Sequence, residues 1–434
     1  MGKYIPNTST EQKEMLKEIG FASFDELFSH VPKEVKLSAE LNIPSGKSEL
    51  EVRKIMTGMA KKNHVFPVIF RGAGAYRHFI PAIVKSVISK ENFLTSYTPY
   101  QAETSQGVLQ SILEYQTMIC DITGMDVSNA SIYDGASAAA EAVNMCRERK
   151  RSKALVSALM HPDYISAIKT YCHGNGMEVE IIPEKNGLTD IDYIKAHADE
   201  GTAVVFIQHP NFHGNLEKAQ EIGEIAHEKG AKFGMSVNPI SLGLVKSPRE
   251  YGADVAVGDG QALGLPISFG GPYIGFMACT DAMKRSLPGR IVGATEDHQG
   301  RTGYVLTLQA REQHIRREKA SSNVCSNQAL CALAVGVYLA AVGKEGLQQA
   351  AELCLSKAHY MAAELEKIGF KRTEEFFNEF VTESEIPSDK VLAALEKEDI
   401  LGGYPLDEKR ILWCCTEVND KASIDRAVQL IKEV

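Results

Sequence analysis

From about residue 130 to 280, short apolar, β-branched runs alternate with amphipathic stretches of helix length, and this alternation restricts the possible folds more than any other feature. The runs KALVSALM (from Lys153), MEVEIIP (from Met177), AVVFIQHP (from Ala203), AKFGMSV (from Ala231), ADVAVGD (from Ala253) and YIGFMACT (from Tyr273) read as strands. Segments such as 216–229 lie between them, with Ile222, Ile225 and Ala226 on one face, the spacing of a helix that buries a single stripe. A helix between two strands carries the chain back over the sheet, and such crossovers are right-handed. The expected class is α/β, with a mainly parallel, doubly wound sheet.

Beyond Arg311 the pattern turns helical through REQHIRREKA, QALCALAVGVYLAAVG and EGLQQAAELCLSKAHYMAAELEKIG. The last stretch mixes strands (FFNEFVT, RILWCCTEV) with helices (VLAALEKED, SIDRAVQLIKE), which predicts a smaller C-terminal α+β domain. At the other end short helices are expected, one of them opened by a Ser48-x-x-Glu51 capping box after the break at Pro44-Ser45-Gly46. Such a segment suits wrapping over a neighbour better than folding alone. The expected division is an N-terminal helical arm over 1–60, a large α/β domain over 61–325 and a small domain over 326–434.

Charge and cysteine usage narrow the partners. Lysine and arginine number 47 against 56 acids, a formal net charge of -9. Neither nucleic acid nor an anionic membrane is therefore expected, since both select a basic face. The longest apolar run, 329–343, is too short to span a bilayer. The opening MGKYIPNTSTEQKEML lacks the apolar core of a secretory signal. The nine cysteines show no CxxC or Cys/His spacing of structural zinc. Reduced, buried thiols, a cytoplasmic location and no metal are the expectation.

Glycine-rich loops invite a dinucleotide reading that their context denies. Gly72-Ala73-Gly74 follows FPVIF but lacks a third glycine, and Gly258-Asp259-Gly260 runs into QALGLPISFGGP, which does not open a helix at once. No GxSxG elbow, P-loop or HExxH occurs in the sequence. His209 and His213 stand four apart, but Pro210 and Gly214 put them in a loop, better suited to line a cleft than to hold a metal. Cys414 and Cys415 lie in an apolar strand whose alternating packing accounts for both. The run from Asp134-Gly135 to Glu141 opens an alanine-rich helix. Its amides suit a phosphate, and its small side chains suit tight helix–sheet packing; both readings stand. The turn 95–103 gathers hydroxyls, two tyrosines and an acid. The charge run 311–319, followed by Ala320-Ser321-Ser322-Asn323, reads equally as a solvated helix face and as a buried interface network.

The stretches TSYTPYQAETSQGVLQSILEYQTMICDITGMDVSNASIYDGASAAAEA, KRSLPGRIVG and REQHIRREKASSNVCSNQAL closely resemble the glycine decarboxylase family, the P-protein of the glycine cleavage system. The resemblance covers essentially the whole chain, and it is to the N-terminal half, which some members carry as a separate subunit 1 (alpha) beside a subunit 2 (beta). It implies the aspartate-aminotransferase-like fold of pyridoxal-phosphate enzymes (fold type I). It also implies a reaction in which glycine loses carbon dioxide and the aminomethyl group passes to the lipoyl arm of H-protein. Pyridoxal phosphate serves such chemistry as an electron sink, and it needs a Schiff-base lysine and an acid on the pyridine nitrogen.

In that fold the acid ends one central strand and the lysine follows the next. The matching strand here, 231–238, holds no acid, and no lysine occurs between Lys246 and Lys284. The family's catalytic half has a His-Lys pair near the positions of Gln261 and Ala262. The resemblance thus implies a chain without a Schiff-base lysine, whose partner subunit holds the pyridoxal phosphate covalently. Sites of this fold lie at a subunit interface, so the polar loops are the candidates to complete the partner's site. Tyr97, Thr98, Tyr100, Gln101 and Glu103 are expected on the substrate side, and Ser321, Ser322 and Asn323 toward the partner's cofactor phosphate. Ser321 stands where the family commonly has threonine, which keeps the hydroxyl. The expected partners are subunit 2, H-protein and glycine, in a heterotetramer. Two alternatives are a non-catalytic scaffold that only stabilises its partner, and a self-sufficient pyridoxal-phosphate enzyme using Lys284. The latter lysine lies too far along the chain to replace the missing one.

Overall fold

The computed structural model describes residues 7–37, 39, 41–372 and 375–434. The chain divides into a first unit that ends at Val65 and a second, Phe66–Val434. In the first, α1 (Ser9–Glu18) and α2 (Glu49–Ala60) each begin with a capping box, Thr8 with Glu11 and Ser48 with Glu51. These reciprocal bonds satisfy amides that a helix start leaves free. Among the described residues of this unit only Leu16 is buried. Helix α2 buries nothing, although Leu50, Val52, Ile55, Met56 and Met59 lie along it. Positions 1–6, 38 and 40 of the predicted arm lie outside the described residues.

The second unit is built on a seven-stranded sheet. Its strands are β1 (Val127–Ser128), β2 (Lys153–Ser157), β3 (Glu178–Ile182), β4 (Thr202–His209), β5 (Lys232–Val237), β6 (Val255–Asp259) and β7 (Gly275–Cys279). They lie in the order β1-β7-β6-β5-β4-β2-β3. Strands β2 to β6 run parallel, and β7 and β1 pair antiparallel at one edge. Every strand predicted in this region is present. Strand β4 shows how the sheet is buried twice: Val205 and Ile207 enter one core, Val204 and Phe206 the other, as period-two geometry requires of a strand covered on both faces. The helices of this region include α3 (Gln106–Thr123), α4 (Gly135–Met145), α5 (Pro162–Asn175) and α6 (Ala219–Glu228). Helix α6 buries Ile222, Ile225 and Ala226, the face its spacing predicted.

After β7 an antiparallel hairpin, β8 (Ile291–Glu296) and β9 (Thr302–Thr307), leads into the charge run. Here the sequence reading needs correction. Instead of a sustained helix from Arg311, only short turns form, at Gln309–Arg311, Gln313–Arg316 and Arg317–Lys319, and the chain then stays irregular to Gln328. Arg317 takes φ 55°, which no continuing α-helix accepts. The Arg311 guanidinium donates to the carbonyls of Leu287 and Gly289, tying the segment to the loop before β8. Helix α7 (Ala329–Glu366) follows, broken at Gly343, where φ is 61° and ψ -172°. It is long and apolar enough to cross a membrane, yet it packs Val335, Tyr338, Ala351 and Cys354 into one of the two cores flanking the sheet.

A four-stranded antiparallel sheet completes the unit: β10 (Lys371–Arg372), β11 (Glu379–Glu383), β12 (Tyr404–Pro405) and β13 (Arg410–Cys414), in the order β10-β11-β13-β12. Helices α8 (Ser388–Glu396) and α9 (Lys421–Lys432) accompany it. The four predicted elements of this stretch are all present. Phe370, Phe376, Phe380 and Trp413 form its core, and Phe70 joins them from far upstream.

Candidate functional site

The parallel strands bring their C-terminal ends to one crevice, the place where open α/β sheets bind ligands. Asp259 ends β6, Asn238 follows β5, His161 lies beyond β2, and α4 starts there with Asp134 as its N-cap. Asp134 Oδ1 accepts from the Ser137 amide at 2.7 Å, and Asp259 Oδ2 accepts from the Gly135 amide at 3.1 Å. Carboxylates thus occupy the amides that a phosphate would need. Gly135 is required for packing, because a Cβ there would stand 1.8 Å from the Tyr164 hydroxyl. Of the two readings of this helix start, packing is the one realised. Burial pushes the Asp259 carboxyl up to about 7, against the pull of the Gly135 and Gln261 amides.

Gln261 is buried just past the end of β6. Its carboxamide accepts from the Tyr76 amide and donates to the carbonyls of Tyr76 and Leu265, each at 2.8 Å. The side chain therefore ties the 72–76 loop to the chain just past β6. That loop is held from its other side as well. Glu379 accepts from the Ala73 amide and from the Tyr76 hydroxyl, both at 2.7 Å, and burial pushes its carboxyl up to about 7. Between Tyr76, His161, Tyr164, Phe212 and Asn238 the remaining cavity is about 40 Å³, room for a few waters. An open cleft beside it, about 600 Å³, includes Asp134, Asp163 and Asp259 in its wall and no lysine or arginine. The larger cleft has the roughly 300 Å³ that a phosphorylated pyridine needs, but it offers the phosphate three carboxyl groups and no cation. The residues of this crevice do not fit pyridoxal phosphate.

The predicted polar loop has the opposite character. Tyr97 is 81% and Tyr100 57% exposed. Tyr97, Thr98, Tyr100 and Gln101 line one groove of about 710 Å³, whereas Glu103 is exposed outside its lining. The predicted trio at 321–323 divides. Ser322 Oγ donates to Glu141 Oε1 at 2.8 Å and accepts from the Val324 amide, so its hydroxyl is committed within the chain. Ser321 and Asn323 are exposed. Ser321 borders a second cavity, about 340 Å³, whose lining includes Arg285, Arg311, Arg316 and Lys319 and no acid. Burial pushes Glu141 up to about 7, and its bond from Ser322 opposes the shift.

Sequence reasoning passed over Arg290, which is buried and donates to the Tyr100 hydroxyl at 2.9 Å. It stands in KRSLPGRIVG, so its stretch was singled out but its side chain was not. The residues at 209–213 act structurally. His209 is buried, with Nδ1 accepting from the Glu217 amide at 3.1 Å, and burial pulls its imidazole down to about 4. Phe212, from the same loop, is the residue that reaches the crevice. His78, Cys354 and Glu417 meet elsewhere. His78 Nδ1 lies 2.7 Å from Glu417 Oε2, closer than the ~3.3 Å between ligand atoms of a tetrahedral site. The Lys357 ammonium also donates to the Glu417 carbonyl. The three are a hydrogen-bonded set. All nine cysteines are free, and most of them are buried.

The sheet order, the crevice and the C-terminal sheet define a fold-type-I, pyridoxal-phosphate-dependent-transferase fold. The aspartate aminotransferase of Thermus thermophilus shares it at a TM-score of 0.60 and 16% identity, over 84% of this chain and 98% of that one. Sequence then separates this chain within the fold: it belongs to the glycine cleavage system P-protein family, whose profile matches residues 2–431. A protein of Desulfitobacterium hafniense named probable glycine dehydrogenase (decarboxylating) subunit 1 is 48% identical over 443 residues, 99% of both chains. Its namesake in Carboxydothermus hydrogenoformans is 49% identical over 440 residues, again 99% of both. A crystal structure of glycine decarboxylase (P-protein) in inhibitor-bound form superposes with a TM-score of 0.93 at 41% identity, covering all of both chains.

Proposed function

We propose that this chain acts as subunit 1 of a two-subunit glycine decarboxylase. With subunit 2 it binds glycine, releases carbon dioxide and passes the aminomethyl group to the lipoyl arm of H-protein. In this reading pyridoxal phosphate, which takes up the electron pair left by the departing carboxylate, is held covalently by subunit 2. The present chain completes that site from across the interface.

A contrast within the chain carries the reading. Its own cleft presents Asp134, Asp163 and Asp259 with no lysine or arginine, while the groove lined by Tyr97, Thr98, Tyr100 and Gln101 presents neutral hydroxyls and an amide. These four, with Glu103, orient the substrate and exclude water once the partner covers them. The exposed Ser321 and Asn323 face the partner's cofactor phosphate, and Ser322 fixes their backbone through Glu141. Subunit 2 also covers apolar residues that this chain leaves exposed. Free cysteines without a disulfide support the cytoplasm as the site of action, and a heterotetramer of two such pairs is the proposed assembly.

The test is exchange of labelled carbon dioxide into glycine by the co-purified subunits, with H-protein present. Tyr100→Phe keeps the ring and removes one hydroxyl. Loss of about 2 kcal/mol of interaction with the bound glycine lowers exchange at subsaturating glycine roughly thirtyfold with assembly intact. Glu103→Gln is read in parallel. Wild-type exchange from both variants would reduce the loop to a scaffold and overturn the reading.

A further inference from the structure

Arg290 holds hydrogen-bond donors that the chain itself leaves unengaged. Its side chain belongs to a residue only 7% exposed. Its one side-chain hydrogen bond goes to a neutral group, the Tyr100 hydroxyl at 2.9 Å, and its guanidinium stands 5.2 Å from the centre of the same ring. Among the described residues it makes no ion pair. The guanidinium's other nitrogens have no hydrogen-bond partner among those residues and are not shut away from solvent, so they stand free for the fork of a carboxylate or phosphate.

The backbone beneath it is fixed from several sides. The Ala130 amide donates to the Arg290 carbonyl at 2.8 Å, the Asn129 side chain donates to Pro288 O at 2.9 Å, and Arg311 binds Leu287 O and Gly289 O. A turn braced this way presents a side chain in one place, as recognition demands. Tyr100 accepts from Arg290, so its own proton remains to be donated outward. Guanidinium and phenol together offer two donors side by side, a match for the two oxygens of a carboxylate.

We infer that Arg290 and Tyr100 form the pocket that recognises the carboxylate of the amino-acid substrate in the partner's site. The inference rests on the proposed function and deepens it. The substrate's amino group is engaged by the cofactor, so the carboxylate is what remains for the protein to recognise, and Tyr100 already borders the groove assigned to that site. The contact exists only while the carboxylate carries its charge and is lost as neutral carbon dioxide leaves. Arg290 therefore serves binding more than turnover, and its loss raises KM more than it lowers kcat.

The experiment titrates the co-purified two-subunit enzyme with glycine and with methylamine, an amine of the same size class lacking the carboxylate, and follows the cofactor's absorbance. Arg290→Gln is expected to weaken glycine about tenfold or more, the scale of one charge-assisted hydrogen bond, and to leave methylamine within about twofold. Arg290→Lys keeps a charge without the fork and is expected to show a smaller, still glycine-selective loss. It replaces the first variant should that one fail to assemble. Equal weakening of both ligands, or of neither, overturns the assignment. Failure of the underlying reading looks different: Tyr100→Phe and Glu103→Gln would then exchange carbon dioxide at the wild-type rate. If those variants are impaired while Arg290→Gln treats the two amines alike, only the role of Arg290 falls.

Discussion

Glu379, the first residue of β11, holds the 72–76 loop with little access to water, and its ionisation sets part of the chain's response to pH. Its carboxyl is raised from an ordinary 4.5 to about 7 by burial. The folded state therefore holds this proton more tightly than the unfolded state. The stabilisation is fully present below about pH 4.5 and disappears as pH rises to about 7. Glu379→Gln keeps an acceptor for the Ala73 amide and a partner for the Tyr76 hydroxyl, and it has no charge to bury. Urea midpoints measured at pH 5 and pH 8 should show a shallower decline in the variant. At pH 8 it should exceed the wild type by up to about 3 kcal/mol. Glu141 and Asp259, also raised to about 7, act in the same window, so part of the decline persists. At this scale the sequence was least legible. The absence of an acid from 231–238, and of a lysine between Lys246 and Lys284, could be read directly. What replaced them could not, because Gln261 draws its partners from Tyr76 and Leu265, one of them 185 residues away. Arg290 was missed for the same reason: nothing local ties it to Tyr100.

At the scale of elements the period of the apolar residues was a sound guide wherever burial decided the structure. Strands β2 to β7 and the buried face of α6 all lay open in it, because a strand or helix covered by the core must repeat at its own period. The reading failed at 311–328, where charged residues carry no such period. There the bonds from Arg311 to Leu287 and Gly289, and the positive φ of Arg317, decide the path. The two helical runs expected across 328–368 form one element interrupted at Gly343. Its φ of 61° and ψ of -172° belong to a region almost reserved for glycine. Gly343→Ala should therefore destabilise the chain by about 1–3 kcal/mol. A lowered urea midpoint with an unchanged denaturant slope is the expected signature. Unchanged stability would mean that the break relaxes to a continuous helix without cost.

The molecule as a whole leaves much apolar surface in water. Leu50, Met56 and Met59 are exposed on α2, and Phe79, Ile83, Leu94 and Phe269 are exposed in the second unit. Surface of this kind on a chain of net charge -9 marks regions meant to be covered, and obligate interfaces commonly bury more than about 2,000 Å². Expressed alone, the chain should self-associate or show poor solubility, and co-expression with subunit 2 should yield a defined complex by sedimentation. A well-behaved monomer that ignores subunit 2 would remove the interface from the account.

The central claim is that this chain completes a cofactor site without holding the cofactor. It is tested by reducing the co-purified pair with borohydride, separating the two chains and weighing each by mass spectrometry. The account predicts one reduced pyridoxyl group on subunit 2 and an unmodified mass for this chain, whether it is treated in the pair or alone with added pyridoxal phosphate. A single lysine of this chain labelled at full occupancy would contradict it.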